Sequence, residues 1–535
     1  MVKRLFEISE SKDRQLMRAM GPVRTESVVL WLCVALVAIA GLAPIAAIAV
    51  ESFRHNGHFS LNYYRELISA ARFWPLLGNS IRLALATTAV CGLIGVPAGI
   101  LFAKSDLPLR PRFMWLLTVP FVLPPYFVAL GWARVVARIG QSASDWLFGF
   151  GGCVLVLSSV FLPITLVLTF ASSSNVDRRL EEAGRLVSGW PGVLRRVTLP
   201  LSAPGIAFSL VLVFLLAMGE LSVPSFLRYP VLPVLSFTQF TASYNFGAAT
   251  AAAVPLAAIA FVGVLVESAF LRDRDYRFQS TGQTLFISLR HWKNPLAALV
   301  AAVCFALVIL PLSALFGDAF SLAAMHEAMQ RAGASVVRSV MYSAVAATIL
   351  MVLGFLLGHA MRGGQQRILN FLTLALFAIP GSVLSIGLVR LWNTPSTWFI
   401  YATPALLILG YTAQYCAVTT RLSLAGLMLI PTSLDEAGRL SGAMWARRLF
   451  WISIPLSART LVCAWLAAYI LCLRDVPIAL MTAPPGADPL SARILTLMAN
   501  GAPPMIASLC LIMAVASLIP LAILARVIPS RGMAM

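Results

Sequence analysis

Apolar runs long enough to cross a bilayer recur along this 535-residue chain, and they constrain its fold more than any other feature. A spanning helix needs roughly 20 mostly apolar residues to cover the hydrocarbon thickness. Segments 27–50, 146–170, 245–270, 294–316 and 503–526 meet that length cleanly. Seven more, at 78–103, 113–133, 204–220, 339–361, 368–389, 400–420 and 460–473, carry a Pro, a Gly or a polar residue. Spanning helices tolerate such breaks where neighbouring helices or water re-satisfy the backbone. With 59% hydrophobic and only 11% charged residues, the chain cannot hide its apolar surface in one soluble core. The expectation is an all-α polytopic membrane protein of about twelve spans, with lipid as its surroundings. Ala47-Ile48-Ala49 imitates a signal-peptide cleavage site, but the apolar run before it is long and follows a 26-residue polar segment, so 27–50 is expected to stay as a span.

The net charge of +19 raises the question of nucleic acid, and the distribution of the 40 Lys and Arg answers it. With the N-terminus inside, segments 1–26, 104–112, 171–203, 271–293, 362–367, 421–459 and 526–535 are cytoplasmic and hold 28 of them. The external segments hold 11, and Arg82 falls within the second span. That asymmetry is the positive-inside bias. A nucleic-acid surface would cluster its basic residues on one soluble domain, and no such domain is present, so no nucleic-acid partner is expected. The eight cysteines, Cys33, Cys91, Cys153, Cys304, Cys416, Cys463, Cys472 and Cys510, lie in or beside proposed spans with no CxxC pair. They read as small apolar packers.

The chain also repeats itself. Glu182-Ala183-Gly184-Arg185-Leu186 recurs as Glu436-Ala437-Gly438-Arg439-Leu440 at a shift of 254. Leu199-Pro200-Leu201-Ser202-Ala203 recurs as Ile454-Pro455-Leu456-Ser457-Ala458 at a shift of 255, and Glu220 and Asp475 are also 255 apart. Shared spacing at three points predicts two tandem six-helix units. We place a cytoplasmic tail at 1–26, the first unit at 27–282 and the second at 283–535, joined through the charged stretch Arg272, Asp273, Arg274, Asp275 and Arg277.

Each repeated segment falls in a basic cytoplasmic loop between the fourth and fifth spans of its unit. An acidic-Ala-Gly start leads to an arginine pair, Arg195-Arg196 or Arg447-Arg448, and then to Pro200 or Pro455. Proline suits the first turn of a helix, so each is expected to mark where the next span begins. Gly189 and Gly442 are expected to turn the backbone sharply between two short helical pieces. The product is a short helix at the inner membrane surface with a carboxylate near one end, able to dock into a partner's groove or to rest among lipid headgroups. Its presence in two copies favours docking.

These residues resemble the inner-membrane permeases of binding-protein-dependent ABC importers, whose signature is Glu-Ala-Ala, three residues, Gly, nine residues, Ile-x-Leu-Pro. The second copy matches closely, with Glu436-Ala437-Gly438, then Gly442, then Ile452-Ser453-Ile454-Pro455. The first copy is one residue shorter from Glu182 to Pro200, with Ser188 at the glycine position and Gly189 next to it. The resemblance covers essentially the whole chain. It implies that Glu182 and Glu436 lie on coupling helices contacting two ATP-binding cassette ATPase subunits, that Gly189 and Gly442 shape the turns, and that a separate periplasmic protein brings the substrate to the bacterial inner membrane. Leu473-Arg474-Asp475-Val476-Pro477, with Ala483-Pro484-Pro485-Gly486 beyond, resembles the corresponding region of fused ferric-iron permeases. Close relatives of that group serve thiamine, polyamines and phosphonates.

No nucleotide site is expected in the chain itself. A phosphate-binding loop needs Gly-x-x-x-x-Gly-Lys-Ser/Thr, and at the only Lys-Ser pair, Lys104-Ser105, Ala98 and Ala103 stand at both glycine positions. The five histidines form no HExxH, and His55 and His58 read as solvated surface. No catalytic residue, cofactor or resident metal is expected. For the path of the substrate, Glu220 and Asp475 end equivalent spans, where a carboxylate is either wetted at the interface or turned toward a pathway. Their recurrence favours an outer vestibule that suits cationic or metal-bearing cargo. Pro124, Pro125 and Pro380 sit inside the third and ninth spans and suggest bent lining helices, or kinks that serve packing alone. An ion-coupled secondary transporter is the competing class, but it needs ionisable residues near mid-span, and these spans have almost none.

Overall fold

The computed structural model describes residues 27–55, 58–243, 245–271, 287–317, 319–362 and 366–527. The tail at 1–26, the unit boundary at 282–283 and the charged junction fall outside the described residues. In the first half of the chain, expected above as the first unit, the principal helices are α1 (Ser27–Ser52), α2 (Phe73–Lys104), α3 (Arg110–Val122), α4 (Pro125–Ile139), α5 (Phe150–Ser174), α6 (Arg178–Val187), α7 (Trp190–Met218) and α8 (Phe246–Leu271). The second unit follows the same order: α9 (Arg290–Phe316), α10 (Leu322–Ala360), α11 (Gln366–Ala378), α12 (Gly381–Trp392), α13 (Ala405–Met428), α14 (Thr432–Leu440), α15 (Trp445–Arg474) and α16 (Pro503–Val527). Among the described residues nine helices are long and apolar enough to cross a membrane, and the number reaches twelve if each of three bent pairs is one span. Among the described residues the fold is helical apart from a two-residue rung, Arg54–His55 with His58–Phe59, and an isolated bridge between Ser105 and Ile287, as expected of a multi-pass membrane protein.

Two proposed spans are not straight crossings. The segment expected at 113–133 is the pair α3 and α4, bent by 100°, and that at 368–389 is α11 and α12, bent by 97°. Arms of 12 to 15 residues reach only about 20 Å at 1.5 Å per residue, short of the ~30 Å hydrocarbon thickness. Prolines cause both breaks. Pro124 precedes another proline, which disfavours helical backbone, and it adopts φ −54°, ψ 134°. Pro380, 256 positions later, adopts φ −55°, ψ 136°, and Pro or Gly opens the second arm in each case.

The loop prolines stand, as expected, in the first turn of regular α-helix, Pro200 in Leu199–Met218 and Pro455 in Ile454–Arg474, but the helical path of α7 and α15 already starts at Trp190 and Trp445. Each proline follows a single wide turn, Leu194–Thr198 or Leu449–Ser453, in which the amide of Leu199 bonds to Leu194 and that of Ile454 to Leu449, five residues back. A proline inside an α-helix has no amide to donate and collides with the carbonyl four residues back; the wider turn relieves both problems without ending the helix.

The units exchange their first spans. α1 packs against α12 of the second unit, and α9 packs against α4 of the first. At the first crossing Gly387 lies so close to the carbonyl of Pro44 that a Cβ would collide with it; at the second, Gly131 meets the carbonyl of Pro311 in the same way. Gly131 and Gly387 are 256 apart, so the two crossings obey the repeat. With no hydrophobic force between helices in lipid, close backbone approach through small residues is what holds them together.

Candidate functional site

The two bends bring equivalent parts of both units around one cavity of about 100 Å³, room for a few water molecules. Phe121 and Pro125 face it from the first break, Phe377 and Pro380 from the second, and Glu220 and Asp475 from the ends of α7 and α15. Pro124 stands buried at the break beside it. The expected path residues therefore converge. Gln414 on α13 donates to the carbonyls of Phe377 (2.9 Å) and Ile379 (3.1 Å), which the break at Pro380 leaves without intrahelical partners. A side chain has taken over the hydrogen bonding that the interrupted helix gave up.

The two carboxylates are held unequally. Asp475 is buried, accepts the Tyr415 hydroxyl at 2.6 Å on Oδ2, and on Oδ1 accepts the amides of Ile478 (2.9 Å) and Ala479 (3.3 Å). It thereby caps the short helix Pro477–Thr482. Its own carbonyl accepts Ser491 Oγ at 2.6 Å, and the carbonyl of Ser491 accepts the Tyr126 hydroxyl of the first unit at 3.0 Å. Glu220 uses Oε1 alone, accepting the amide and hydroxyl of Ser222 at 2.9 and 2.5 Å. Arg474, next to Asp475, also lines the cavity: its guanidinium carbon lies 4.5 Å from the Phe121 ring centre, and its Nη1 is buried without a hydrogen-bond partner. Its counterpart 255 positions earlier is Gly219, so this charge enters from the second unit only.

The repeated loops form the second constellation. Asp177 caps α6, its side chain accepting the amide of Arg179 at 2.9 Å. Glu182 lies on its exposed face, paired with Arg178 at 2.6 Å, and Glu436 is exposed on α14. Ala183 and Ala437 are exposed beside them, and Leu186 and Leu440 stand about nine-tenths exposed at the helix ends. Gly184 and Gly438 face inward instead; a Cβ at Gly438 would come within 2.9 Å of Arg448 Cδ, and one at Gly184 within 3.3 Å of Val197 Cγ2. Gly442 turns the chain with φ +75°, a conformation that favours glycine. Gly189 does not: at φ −61°, ψ 176° it is ordinary extended backbone, so the expected glycine turn exists in the second copy only.

The carboxylates that hold these helices in place are not the ones the motif singles out. Glu181, one residue before Glu182, is fully buried and pairs with Lys104 at 2.8 Å. In the second copy Asp435 pairs with Arg448 at 2.9 Å and with Arg439 at 3.0 Å. Burial acts to raise the Asp435 carboxyl, but these two guanidinium groups outweigh it and hold the group below the ordinary carboxylate range. Glu181 and Asp435 are 254 apart, the same shift as Glu182 and Glu436, so the repeat marks both adjacent acids without telling which is buried.

Two halves with crossing first spans, broken helices around a shared cavity and an exposed short helix after the fourth span of each fit a transport permease. No family model matches the chain. It is 23% identical to the putative ferric transport system permease protein FbpB 1 of Haemophilus influenzae over 81% of its own length and 74% of that protein, and 21% identical to the ferric transport system permease protein FbpB of Actinobacillus pleuropneumoniae over 81% and 68%. It is 33% identical to a probable molybdenum ABC transporter permease protein of Haloferax volcanii over 35% of its own length and 72% of that protein. The chain belongs to the ABC transporter permease family.

Proposed function

We propose that this chain is the membrane-embedded subunit of an ATP-driven importer of the bacterial inner membrane, taking ferric iron from a periplasmic binding protein and relying on two separate ATP-binding cassette subunits for energy. The observation that carries the reading is the shared cavity bordered by Phe121, Glu220, Phe377 and Asp475, pairwise equivalent points of the two repeats, in a chain that matches a putative ferric permease and a ferric permease over 81% of its length. In this reading the units run from 27 to 282 and from 283 to 535, and the N-terminus is cytoplasmic. α6 and α14 seat the two ATPase subunits, with Glu182 and Glu436 exposed to them and Leu186 and Leu440 supplying apolar contact. Motion of these helices changes which side of the membrane the cavity faces. Glu220, with one carboxylate oxygen outside its local hydrogen bonds, is the group that meets a cationic cargo; Asp475 chiefly holds the lining in shape.

Deletion of the gene, with uptake of ferric iron, molybdate and 2-aminoethylphosphonate measured side by side, tests the cargo. Loss of ferric uptake alone supports the reading. Intact ferric uptake with loss of another assigns that cargo instead, as the molybdenum permease of Haloferax volcanii and a putative 2-aminoethylphosphonate permease of Salmonella typhi among the relatives would suggest.

A further inference from the structure

We infer that Lys104 and Glu181 are positioning residues that transmit the movement of the first coupling helix to the second span and onward to the second unit, and that the equivalent positions of the second copy are wired differently. The inference rests on the reading of α6 as an ATPase contact.

Neighbouring residues on α6 face opposite ways. Glu182 points outward and is about half exposed, whereas Glu181 is fully buried. One oxygen of Glu181 accepts Lys104 Nζ at 2.8 Å and the other accepts the Thr198 hydroxyl at 2.8 Å, and Lys104 is itself only 1% exposed. Pulling α6 away from α2 would leave two unpaired charges out of water, which costs far more than separating a wetted pair such as Arg178 and Glu182. α6 and the end of α2 therefore move as one body.

The path continues from there. Lys104 is the last residue of α2, and its carbonyl accepts the amide of Ile287 at 2.6 Å. Two residues on, Asp106 accepts the amide of Leu289 at 3.0 Å and Lys293 Nζ at 3.1 Å. Lys293 lies in the first turns of α9, and α9 carries Pro311, whose carbonyl presses on Gly131 of α4. α4 opens with Pro125 at the cavity. A displacement of α6 thus has a continuous route, through hydrogen bonds and then close packing, to the broken helix.

The second copy is wired differently. The residue 255 positions after Lys104 is His359, whose Nε2 accepts Trp445 Nε1 at 3.3 Å. Asp435, the counterpart of Glu181, turns to Arg439 on its own helix and Arg448 in its own loop. Among the described residues, repeats with the same chain path have different charges at the same joint: a fully buried Lys104–Glu181 pair in the first, and a partly exposed Arg448–Asp435 pair in the second.

The test uses the full chain with its ATPase subunits and binding protein in sealed vesicles, reading cargo taken up per ATP hydrolysed. In K104M/E181Q both charges are gone, so no unpaired buried ion remains and the complex should still assemble. Hydrolysis should stay within about twofold of wild type while uptake per ATP falls at least fivefold. K104R/E181D, which keeps the pair, should recover to within twofold, and H359A should stay within twofold. Unchanged uptake per ATP in K104M/E181Q, or an equal loss in H359A, overturns the inference. If K104M/E181Q does not assemble, T198V decides: it removes one hydrogen bond at nearly constant volume, and a twofold fall in uptake per ATP supports the tie while an unchanged ratio overturns it. A wild-type chain that holds no ATPase subunit overturns the underlying reading, a result distinct from a wild-type complex whose variants remain fully coupled.

Discussion

The exchanged first spans make a sharp prediction about alanine. In G387A the new Cβ would strike the carbonyl oxygen of Pro44, and in G131A that of Pro311. Both obstacles are backbone and cannot swing aside like the end of a side chain. Restoring a contact of about 3.5 Å requires the helices to part by about 1 Å, and a gap of that size forfeits a quarter to a half of the dispersion attraction of the atoms lining it. Overpacking of this kind costs about 1–3 kcal/mol. Alanine regains up to about 1 kcal/mol of helix propensity over glycine, so a net loss of about 1–2 kcal/mol is expected for each variant. Gly78 is the control: it lies in α2 with no atom within 4 Å of the position a Cβ would take, so G78A keeps the propensity gain with no collision. The assay is thermal unfolding of the purified chain in detergent, followed with a thiol-reactive dye, since seven of the eight cysteines are buried and react on unfolding. Midpoints should fall for G131A and G387A and hold or rise for G78A. If G387A and G78A shift the midpoint equally, the crossing of α1 over α12 is wrong.

Other outcomes follow from the same geometry. Asp475→Ala should destabilise the chain by about 3 kcal/mol, the sum of a lost helix cap and a lost charge-assisted hydrogen bond from Tyr415, whereas Asp475→Asn keeps an acceptor for the cap and should cost less; thermal midpoints distinguish them. Gly442→Ala places an L residue at φ +75° and should cost about 1–2 kcal/mol, while Gly189→Ala should change stability by under about 0.5 kcal/mol, which unfolding of the two purified variants will show. Glu436→Ala and Glu182→Ala alter exposed side chains, so they should leave thermal stability in place and reduce the amount of ATPase subunit recovered with the chain. Normal recovery in both would remove these carboxylates from the docking surface.

Span positions are legible in the sequence because the bilayer imposes a length and a composition on every crossing helix. The same criterion cuts α7 and α15 short, since it stops at the basic turns with Arg195, Arg196, Arg447 and Arg448 that the helices run through. The prolines at 124 and 380 announce an interruption but not a 100° bend, because the angle depends on where the second arm finds its partner, and that partner comes from the other unit. The repeat locates Glu220 and Asp475 at one cavity. It says nothing of Arg474, whose counterpart is a glycine, nor of the Tyr415 hydroxyl that occupies Asp475. On α6, motif matching selects Glu182. Which of two adjacent acids is buried depends on the face turned toward Lys104, 77 residues earlier, and no local pattern reveals it.

The most direct test of the account is uptake into sealed vesicles holding this chain with its ATPase subunits, with ferric-loaded binding protein outside and ATP or no ATP at the nucleotide-binding face. The account predicts uptake that requires both ATP and the binding protein and that stops when hydrolysis is blocked. Uptake by the chain alone, without ATP and driven by an ion gradient, would contradict it.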